Sequence, residues 1–212
     1  MDKRTVETVK IFNDAAQRYQ DKYMDVSPYA DSLFLFCESL SSPESDIIDV
    51  ACGPGNVAKF ITDKMPKAKI LATDLSIKML DLTKLNVPNV STALVNAKDF
   101  KTIDRQFDGI LASFIFPYLS KSEVIDFIND ASVKLKKSGV LYISTMKGKN
   151  SESGYVGPED GIQMYMNYHE ADYIERALID CGFDLVSSIL QPYDYGMDKK
   201  GDDIIIIGKL KD

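Results

Sequence analysis

The hydrophobic positions of the chain follow two alternating periods. Short apolar runs typical of buried strands alternate with stretches whose apolar residues recur every three or four positions, as along one face of a helix. The runs predict strands at Asp46–Ala51, Lys69–Thr73, Val90–Val95, Asp108–Ser113, Val140–Thr145, Phe183–Leu190 and Asp202–Leu210. Strands alternating with helices predict an α/β fold with a doubly wound, mostly parallel sheet of seven strands.

Several predicted helices carry capping signals at their ends. Ser120 and Glu123 have the spacing of a capping box, in which the two side chains satisfy free amides reciprocally. Gly139 is expected in the left-handed conformation that often ends a helix. Ser76 has the hydroxyl oxygen needed to cap the helix after the second strand. These signals predict where the helices of the sheet layers begin and end.

Two segments depart from the alternation. Residues 1–42 precede the first strand and contain two predicted helices, which are expected to form an N-terminal helical cap. Residues 147–168 mix glycine, tyrosine and methionine with polar residues and show no clear period. A long irregular insert in a small domain is often a lid or a binding loop. No internal repeat is visible, so residues 1–212 are predicted to form a single domain with this cap and this insert.

Composition narrows the classes of protein. The net charge of −7 argues against a general nucleic-acid binder. Three widely spaced cysteines and one histidine predict neither a metal site nor a disulfide framework. The first residues lack the apolar core of a signal peptide, and no apolar run is long enough to cross a bilayer. We therefore expect a cytoplasmic protein without membrane association, whose oligomeric state the sequence leaves open.

The clearest candidate for a binding site is the glycine turn that follows the first strand. Gly53 and Gly55 allow the backbone to approach a ligand closely, because no Cβ intervenes. The helix that begins after them offers unpaired amides. Asp49 ends the strand just before the turn, where a carboxylate can hold a cationic amino group or a water bound to it, but would repel a pyrophosphate.

Two further candidates lie at the ends of the next strands. Asp74 follows Gly55 by 74 − 55 = 19 residues and can accept hydrogen bonds from both hydroxyls of a ribose, with Leu75 flanking an adenine. A helix N-cap is the alternative role for Asp74. Asn96 and the amide of Ala97 can hydrogen-bond an adenine edge, although Asn96 is also a common turn residue. Ligands of such sheets bind at this edge, the carboxyl ends of the strands.

These stretches resemble a known family. In order and spacing, DVACGPGN, ATDLSIKML, VNAKDF, FDGILAS and LKKSGVLYIS are similar to the class I S-adenosylmethionine (SAM)-dependent methyltransferases, over roughly residues 30–145. The resemblance implies SAM as the cofactor and a Rossmann-like sheet of seven strands whose last strand is antiparallel. It also implies that the methyl group is transferred by in-line displacement. We expect the acceptor of this methyl group to be a small molecule.

The resemblance assigns the cofactor-binding residues as well. It implies that the methionine part of SAM is held by Asp49, Ala51, Gly53 and Gly55, the ribose by Asp74, and adenine by Asn96 and Ala97, with Ser113 beside the sulfonium. Ala51 stands where the family often has glycine, and Asn96 where aspartate is common. Tyr19 or Tyr23 of the cap would close over SAM, although aromatic residues at helical spacing are more often core.

Two alternative functions remain open at this stage. A SAM- or nucleotide-binding module without catalysis would carry the same residues. A compact NAD-dependent dehydrogenase is the other alternative, since Gly53–Ala58 also fits G-x-G-x-x-A. Against it, Asp49 would lie near phosphates, and the Tyr-x-x-x-Lys spacing occurs only at Tyr195 and Lys199, in a predicted loop rather than a helix.

The candidates for a catalytic role depend on fewer signals. A general base is needed only when the acceptor is protonated at the working pH. His169 is the single histidine and precedes the last helix, where it is either a base or a partly buried helix-start residue. Tyr118 follows the fourth strand, either facing the acceptor or packed as a loop aromatic. Tyr155, Glu159 and Tyr165 are weaker candidates in the insert.

Overall fold

The computed structural model describes residues 1–157, 161–194 and 200–212. Within these residues the helices are α1 (Lys3–Tyr23), α2 (Ala30–Ser39), α3 (Asn56–Lys64), α4 (Ile77–Asn86), α5 (Lys121–Lys134) and α6 (Ala171–Asp180). The strands are β1 (Asp46–Val50), β2 (Lys69–Asp74), β3 (Ser91–Leu94), β4 (Phe107–Ser113), β5 (Leu135–Met146), β6 (Gly154–Val156), β7 (Met164–Met166), β8 (Phe183–Asp194) and β9 (Lys200–Leu210).

Seven of these strands form one sheet in the order β3-β2-β1-β4-β5-β9-β8. Strands β1 to β5 pair in parallel, and β9 runs antiparallel to both β5 and β8. The prediction of a mostly parallel, seven-stranded sheet with an antiparallel last strand is confirmed. The chain passes outward from β1 to β3 and then returns to add β4 on the other side of β1. The crevice for a ligand therefore opens at the carboxyl ends of β1 and β4.

Both faces of the sheet are covered by helices. Phe127 of α5 and Leu178 of α6 belong to the core on one face, whereas Phe36 of α2 and Ile61 of α3 belong to the core on the other. The four consecutive isoleucines of β9, residues 204–207, are at most 1% exposed and divide alternately between the two cores. This explains why β9 reads as a continuous apolar run rather than an alternation.

Helix α1 lies across the carboxyl edge of the sheet instead of in either core layer. Asp2 caps its first turn by accepting a hydrogen bond from the Thr5 amide. The Asn13 side-chain oxygen accepts a hydrogen bond of 2.8 Å from the Ser76 hydroxyl, which ties α1 to the start of α4. Ala16 is the one buried residue of α1 in the described structure. The outward face of α1 is exposed to solvent, and its inward face covers the crevice.

The structure differs from the sequence expectations at two places. Residues 147–168 are not wholly irregular, because β6 and β7 pair as a small antiparallel sheet. The expectation for Gly139 is wrong, since α5 ends at Lys134 and Ser138, with φ of 57°, holds the left-handed position. Gly139 is needed for close approach instead: a Cβ there would lie 2.8 Å from the Lys136 carbonyl oxygen. The capping box at Ser120 and Glu123 is present.

Candidate active site

A cavity of about 560 Å³ lies at the carboxyl ends of the central strands, beneath α1. Its volume falls within the range of small-molecule sites. Among the residues predicted for a site, those that line it are Tyr19, Ala51, Gly53, Asp74, Leu75, Asn96, Ala97, Ser113, Tyr118 and Tyr165. Asp49, Gly55 and His169 do not line it. The structure thus brings together residues from four separate strand ends and from the cap.

The turn after β1 is built from left-handed backbone positions. Ala51, Gly53 and Gly55 have φ of 58°, 56° and 83°. Gly53 faces the cavity, with Tyr19 as the nearest side chain to a Cβ built there. Gly55 faces away, because its Cβ would lie 3.1 Å from the Thr83 methyl carbon. Ala51 carries a strain of about 1 kcal/mol in this conformation, which a glycine would avoid.

Asp74 closes the turn from the neighbouring strand. Its Oδ2 accepts a hydrogen bond of 3.0 Å from the Gly53 amide, and its Oδ1 accepts one of 2.8 Å from the Ser76 amide. Each carboxylate oxygen retains a second lone pair. Burial raises the pKa of Asp74, and the hydrogen bonds from backbone amides oppose that rise. Ser76, not Asp74, caps α4, since its hydroxyl accepts the Met79 amide hydrogen bond.

Asp49 lies behind the glycine turn and is 1% exposed. Its Oδ2 has no hydrogen-bond partner among the described residues. Burial, and then the nearby charge of Asp74, raise the pKa of Asp49 to about 7. A buried carboxylate oxygen without a donor is costly, and a cationic ligand above the turn would offset that cost. The two carboxylates therefore favour a ligand that is positively charged and rich in donors at this end of the cavity.

The opposite end of the cavity is formed by the segment after β3. Asn96 lines it, and its Oδ1 accepts a hydrogen bond of 3.1 Å from the Lys98 amide. Asn96 therefore starts the 3₁₀ turn Ala97–Thr102 and faces the cavity at the same time. Leu75 and Ala97 line the same cavity, beside the asparagine. The side-chain NH₂ donors of Asn96 and the second lone pair of its Oδ1 fit the polar edge of a flat heterocycle.

Sequence reasoning missed the inner face of α1. Thr5, Thr8, Val9 and Phe12 line the cavity at helical spacing. The Phe12 ring packs edge-on against Tyr19 at 5.5 Å and against Tyr118 at 5.3 Å between centroids. The apolar period of α1 was a visible signal, but it is also the signal of a helix packed on a core. Phe114 was missed as well; it lines the cavity with φ of 54°.

His169 is held in a hydrogen-bonded network beside the cavity. It is buried, its Nε2 donates 2.8 Å to the Phe116 carbonyl oxygen, and its Nδ1 accepts from the Tyr173 hydroxyl. This pattern requires the neutral ring, and burial lowers the pKa of His169 accordingly. Both ring nitrogens are engaged, and the Nε2 hydrogen bond ties His169 to the turn at Phe116–Tyr118.

Another side of the cavity is formed by this same turn and by the insert. The Asn167 backbone and side-chain amides both donate to the Pro117 carbonyl oxygen, at 2.8 and 3.1 Å. Tyr118 lines the cavity, and burial raises the pKa of its hydroxyl, which is therefore neutral at ordinary pH. Tyr155 is exposed and does not line the cavity. Glu159, Tyr195 and Lys199 lie outside the described residues.

The sheet order and the helices on both faces are those of a Rossmann-like methyltransferase fold. Residues 47–139 match the sequence profile of a family described as "Methyltransferase domain". This match runs from β1 to the start of β5. Within the described residues no group of three or more histidine, cysteine or acidic side chains is placed to hold a metal ion. No described helix combines the length and apolar character needed to cross a membrane.

Curated relatives show where the similarity lies. The chain is similar to a malonyl-[acyl-carrier protein] O-methyltransferase of Priestia megaterium, at 30% identity over 64% of this chain and 50% of the relative. It is also similar to a demethylmenaquinone methyltransferase of Thermotoga maritima, at 28% identity over 52% of this chain and 47% of the relative. The chain spans about half the length of the curated relatives it matches.

Solved structures agree on the fold. A magnesium protoporphyrin IX methyltransferase of Synechocystis with bound SAM superposes with a TM-score of 0.74 over 100% of this chain and 98% of that chain, at 13% identity. A SAM-dependent methyltransferase of Clostridium acetobutylicum superposes with a TM-score of 0.71 over 95% of this chain and 100% of that chain, at 18% identity. At such identities the likeness establishes the architecture alone.

Proposed function

We propose that this protein transfers the methyl group of SAM to a small-molecule acceptor. The observation that carries the proposal is the convergence of Asp74, Gly53 and Asn96 on one cavity under α1. Together they offer a glycine turn for a polar amino-acid end, a carboxylate for a diol and a side-chain amide for a flat heterocycle. The orphaned Asp49 oxygen behind the turn gives independent support, because the amino-acid end of SAM carries an ammonium group.

Each residue has a defined part in this assignment. The Gly53 turn, with Asp49 behind it, receives the methionine part, and Tyr19 covers it from α1. The free lone pairs of Asp74 accept hydrogen bonds from the ribose hydroxyls. Asn96 and the Ala97 amide meet the adenine edge, and Leu75 packs against its face. Ser113 lies at the end of β4, where its hydroxyl is 3.0 Å from that of Ser144.

When bound, SAM supplies a methyl group on a sulfonium sulfur, which an acceptor nucleophile displaces in line to leave S-adenosylhomocysteine. The protein aligns the acceptor and excludes water. Phe12, Phe114 and Tyr118 line the cavity on the side of Ser113 and provide an apolar surface for that alignment. The pKa of the Tyr118 hydroxyl is raised, so this group can donate a hydrogen bond to the acceptor but is a poor base at neutral pH.

A carrier-bound acyl group is the second candidate for the acceptor. It is favoured by the likeness to the malonyl-[acyl-carrier protein] O-methyltransferase. A free small molecule is favoured by the cover that α1 and the insert place over the cavity.

The three cysteines of the chain are unpaired, which supports the cytoplasmic location expected from the sequence.

Titration calorimetry and labelled turnover together test the proposed function. We expect SAM and S-adenosylhomocysteine to bind, and NAD to give no heat. Incubation with methyl-labelled SAM and a metabolite extract should yield a labelled small product and S-adenosylhomocysteine. Binding of SAM without turnover over a broad extract, including acyl-carrier proteins, would favour a non-catalytic module. A response to NAD but not to SAM would refute the assignment.

Replacing His169 by phenylalanine tests whether the histidine is structural. We expect an unfolding midpoint lower by about 4–8 °C, since about 2 kcal/mol of buried hydrogen bonding is lost. Methyl transfer at saturating acceptor should fall by less than tenfold. Tyr173→Phe removes only the hydroxyl donor to Nδ1 and should shift the midpoint less. A general base typically contributes a factor of 10²–10⁴, so a larger rate loss with an unchanged midpoint would contradict the structural role.

A further inference from the structure

The cations at the mouth of the cavity are unequally compensated. The Lys98 ammonium is paired with Asp2 and with Glu123. Lys3 lies 3.8 Å from Glu7. Arg4 also lines the cavity, but within the described residues its guanidinium has neither an ion pair nor a hydrogen bond. In a chain of net charge −7, an uncompensated arginine at a binding cavity is a local feature that requires an explanation.

Arg4 is held in place by an aromatic ring rather than by an acid. Its guanidinium carbon lies 3.9 Å from the centroid of the Tyr165 ring, which belongs to β7 of the insert. Stacking on an aromatic face fixes the plane of a guanidinium but leaves the N–H groups at its edge free. A planar fork held in this way matches the two oxygens of a carboxylate or phosphate.

The proposed cofactor does not supply that anion. The carboxylate of SAM belongs to its methionine part, which the proposed function places at Gly53 beneath Tyr19. Arg4 and Tyr19 are 15 positions apart on one helix, a separation of about 22 Å along the axis. The adenine and ribose carry no negative charge. An anion at Arg4 therefore belongs to a different molecule.

We propose that Arg4 binds an oxyanion, a carboxylate or phosphate, at the far end of an extended acceptor. The surface between Arg4 and the reacting end is formed by Thr8, Val9 and Phe12 of α1 together with Tyr118. Eight positions of helix separate Arg4 from Phe12, about 12 Å. The site thus selects a molecule with a reactive end, an apolar middle and an anionic head. This inference rests on the proposed function of the same cavity.

Binding of matched alkyl probes to the protein saturated with S-adenosylhomocysteine tests this inference. Decanoate, decyl phosphate and decanol share one chain and differ in the head group, and all are used below their micellar concentrations. We expect at least one of the two anions to bind about tenfold more tightly than decanol. Arg4→Gln should remove that preference without changing decanol binding. Lys10→Gln, which removes an exposed cation of the same helix that does not line the cavity, should leave all three affinities unchanged.

The aromatic support of Arg4 gives a second, independent variant pair. Tyr165→Phe retains the ring face and should retain the preference for the anion, whereas Tyr165→Leu should reduce it several-fold. Preference for decanoate alone would identify a carboxylate head, and preference for decyl phosphate alone a phosphate. Equal binding of decanol and both anions, or no binding of either anion, would overturn the inference. Binding of S-adenosylhomocysteine is measured first, and its absence would count against the proposed function instead.

Discussion

Asp74→Ala is expected to weaken SAM binding by about 100-fold or more while the protein stays folded. The carboxylate is the acceptor that we assign to both ribose hydroxyls, and a hydrogen bond to a charged group contributes about 1.5–3 kcal/mol. Losing two such bonds corresponds to at least about 3 kcal/mol, or two orders of magnitude in the dissociation constant. Titration calorimetry with S-adenosylhomocysteine measures the effect without turnover.

The controls for Asp74 separate ligand binding from the shape of the turn. Asp74 also accepts hydrogen bonds from the Gly53 and Ser76 amides, so its loss loosens the turn itself. Asp74→Asn retains one acceptor oxygen and should bind with intermediate affinity. Asp81→Ala removes an exposed acid of α4 that pairs with Lys84, and this variant should bind SAM normally. An Asp74→Ala protein with wild-type affinity would remove the ribose assignment.

Asp49→Asn is expected to stabilise the ligand-free protein at pH 8 and to weaken its binding of SAM by about tenfold. The pKa of Asp49 is raised from 3.8 to about 7, so folding favours its neutral form. The stability that this group contributes is complete below about pH 4 and is lost as the pH rises through about 7. The asparagine stays neutral at every pH and avoids that loss. The same substitution removes the negative charge that we assign to the methionine ammonium.

Unfolding midpoints at pH 5 and pH 8 give the decisive comparison for Asp49. The midpoint of Asp49→Asn relative to wild type should be several degrees higher at pH 8 than at pH 5. Comparing the two pH values cancels the pH-independent cost of a new amide in the buried site. Asp63→Asn, an exposed residue paired with Lys59, should show no such difference. An equal effect of Asp49→Asn at both pH values would contradict the raised pKa.

The sheet and the cofactor-facing residues were predictable because their signals are local. The apolar runs that became β1, β2, β4 and β5 are separated by turns and helices with their own capping residues. The glycine turn directly follows β1, and Asp74 is the last residue of β2. In a parallel sheet, successive strand ends meet at one edge, so sequence order alone brings these two residues together.

What escaped prediction depends on contacts between distant parts of the chain. The period of α1 showed that one face is covered, but not that a ligand cavity rather than core lies beneath Phe12. The stack of Arg4 on Tyr165 joins residues 165 − 4 = 161 positions apart, which no local pattern reports. The burial of His169 against Phe116 is of the same kind. The left-handed conformation of Ala51 contradicts the preference of that residue, and its only sign in the sequence was a departure from the family that the chain resembles.

The four isoleucines of β9 leave its alignment with its neighbours undetermined by hydrophobicity. A slip of one residue would exchange the side chains facing the two layers, yet isoleucine would still face both. The alignment must then be set at the two ends of the run. Gly208 allows close approach of Phe183, and Asp203 accepts a hydrogen bond of 2.7 Å from the Tyr29 hydroxyl. The alignment of this apolar strand is thus set by one glycine and one aspartate at the two ends of the isoleucine run.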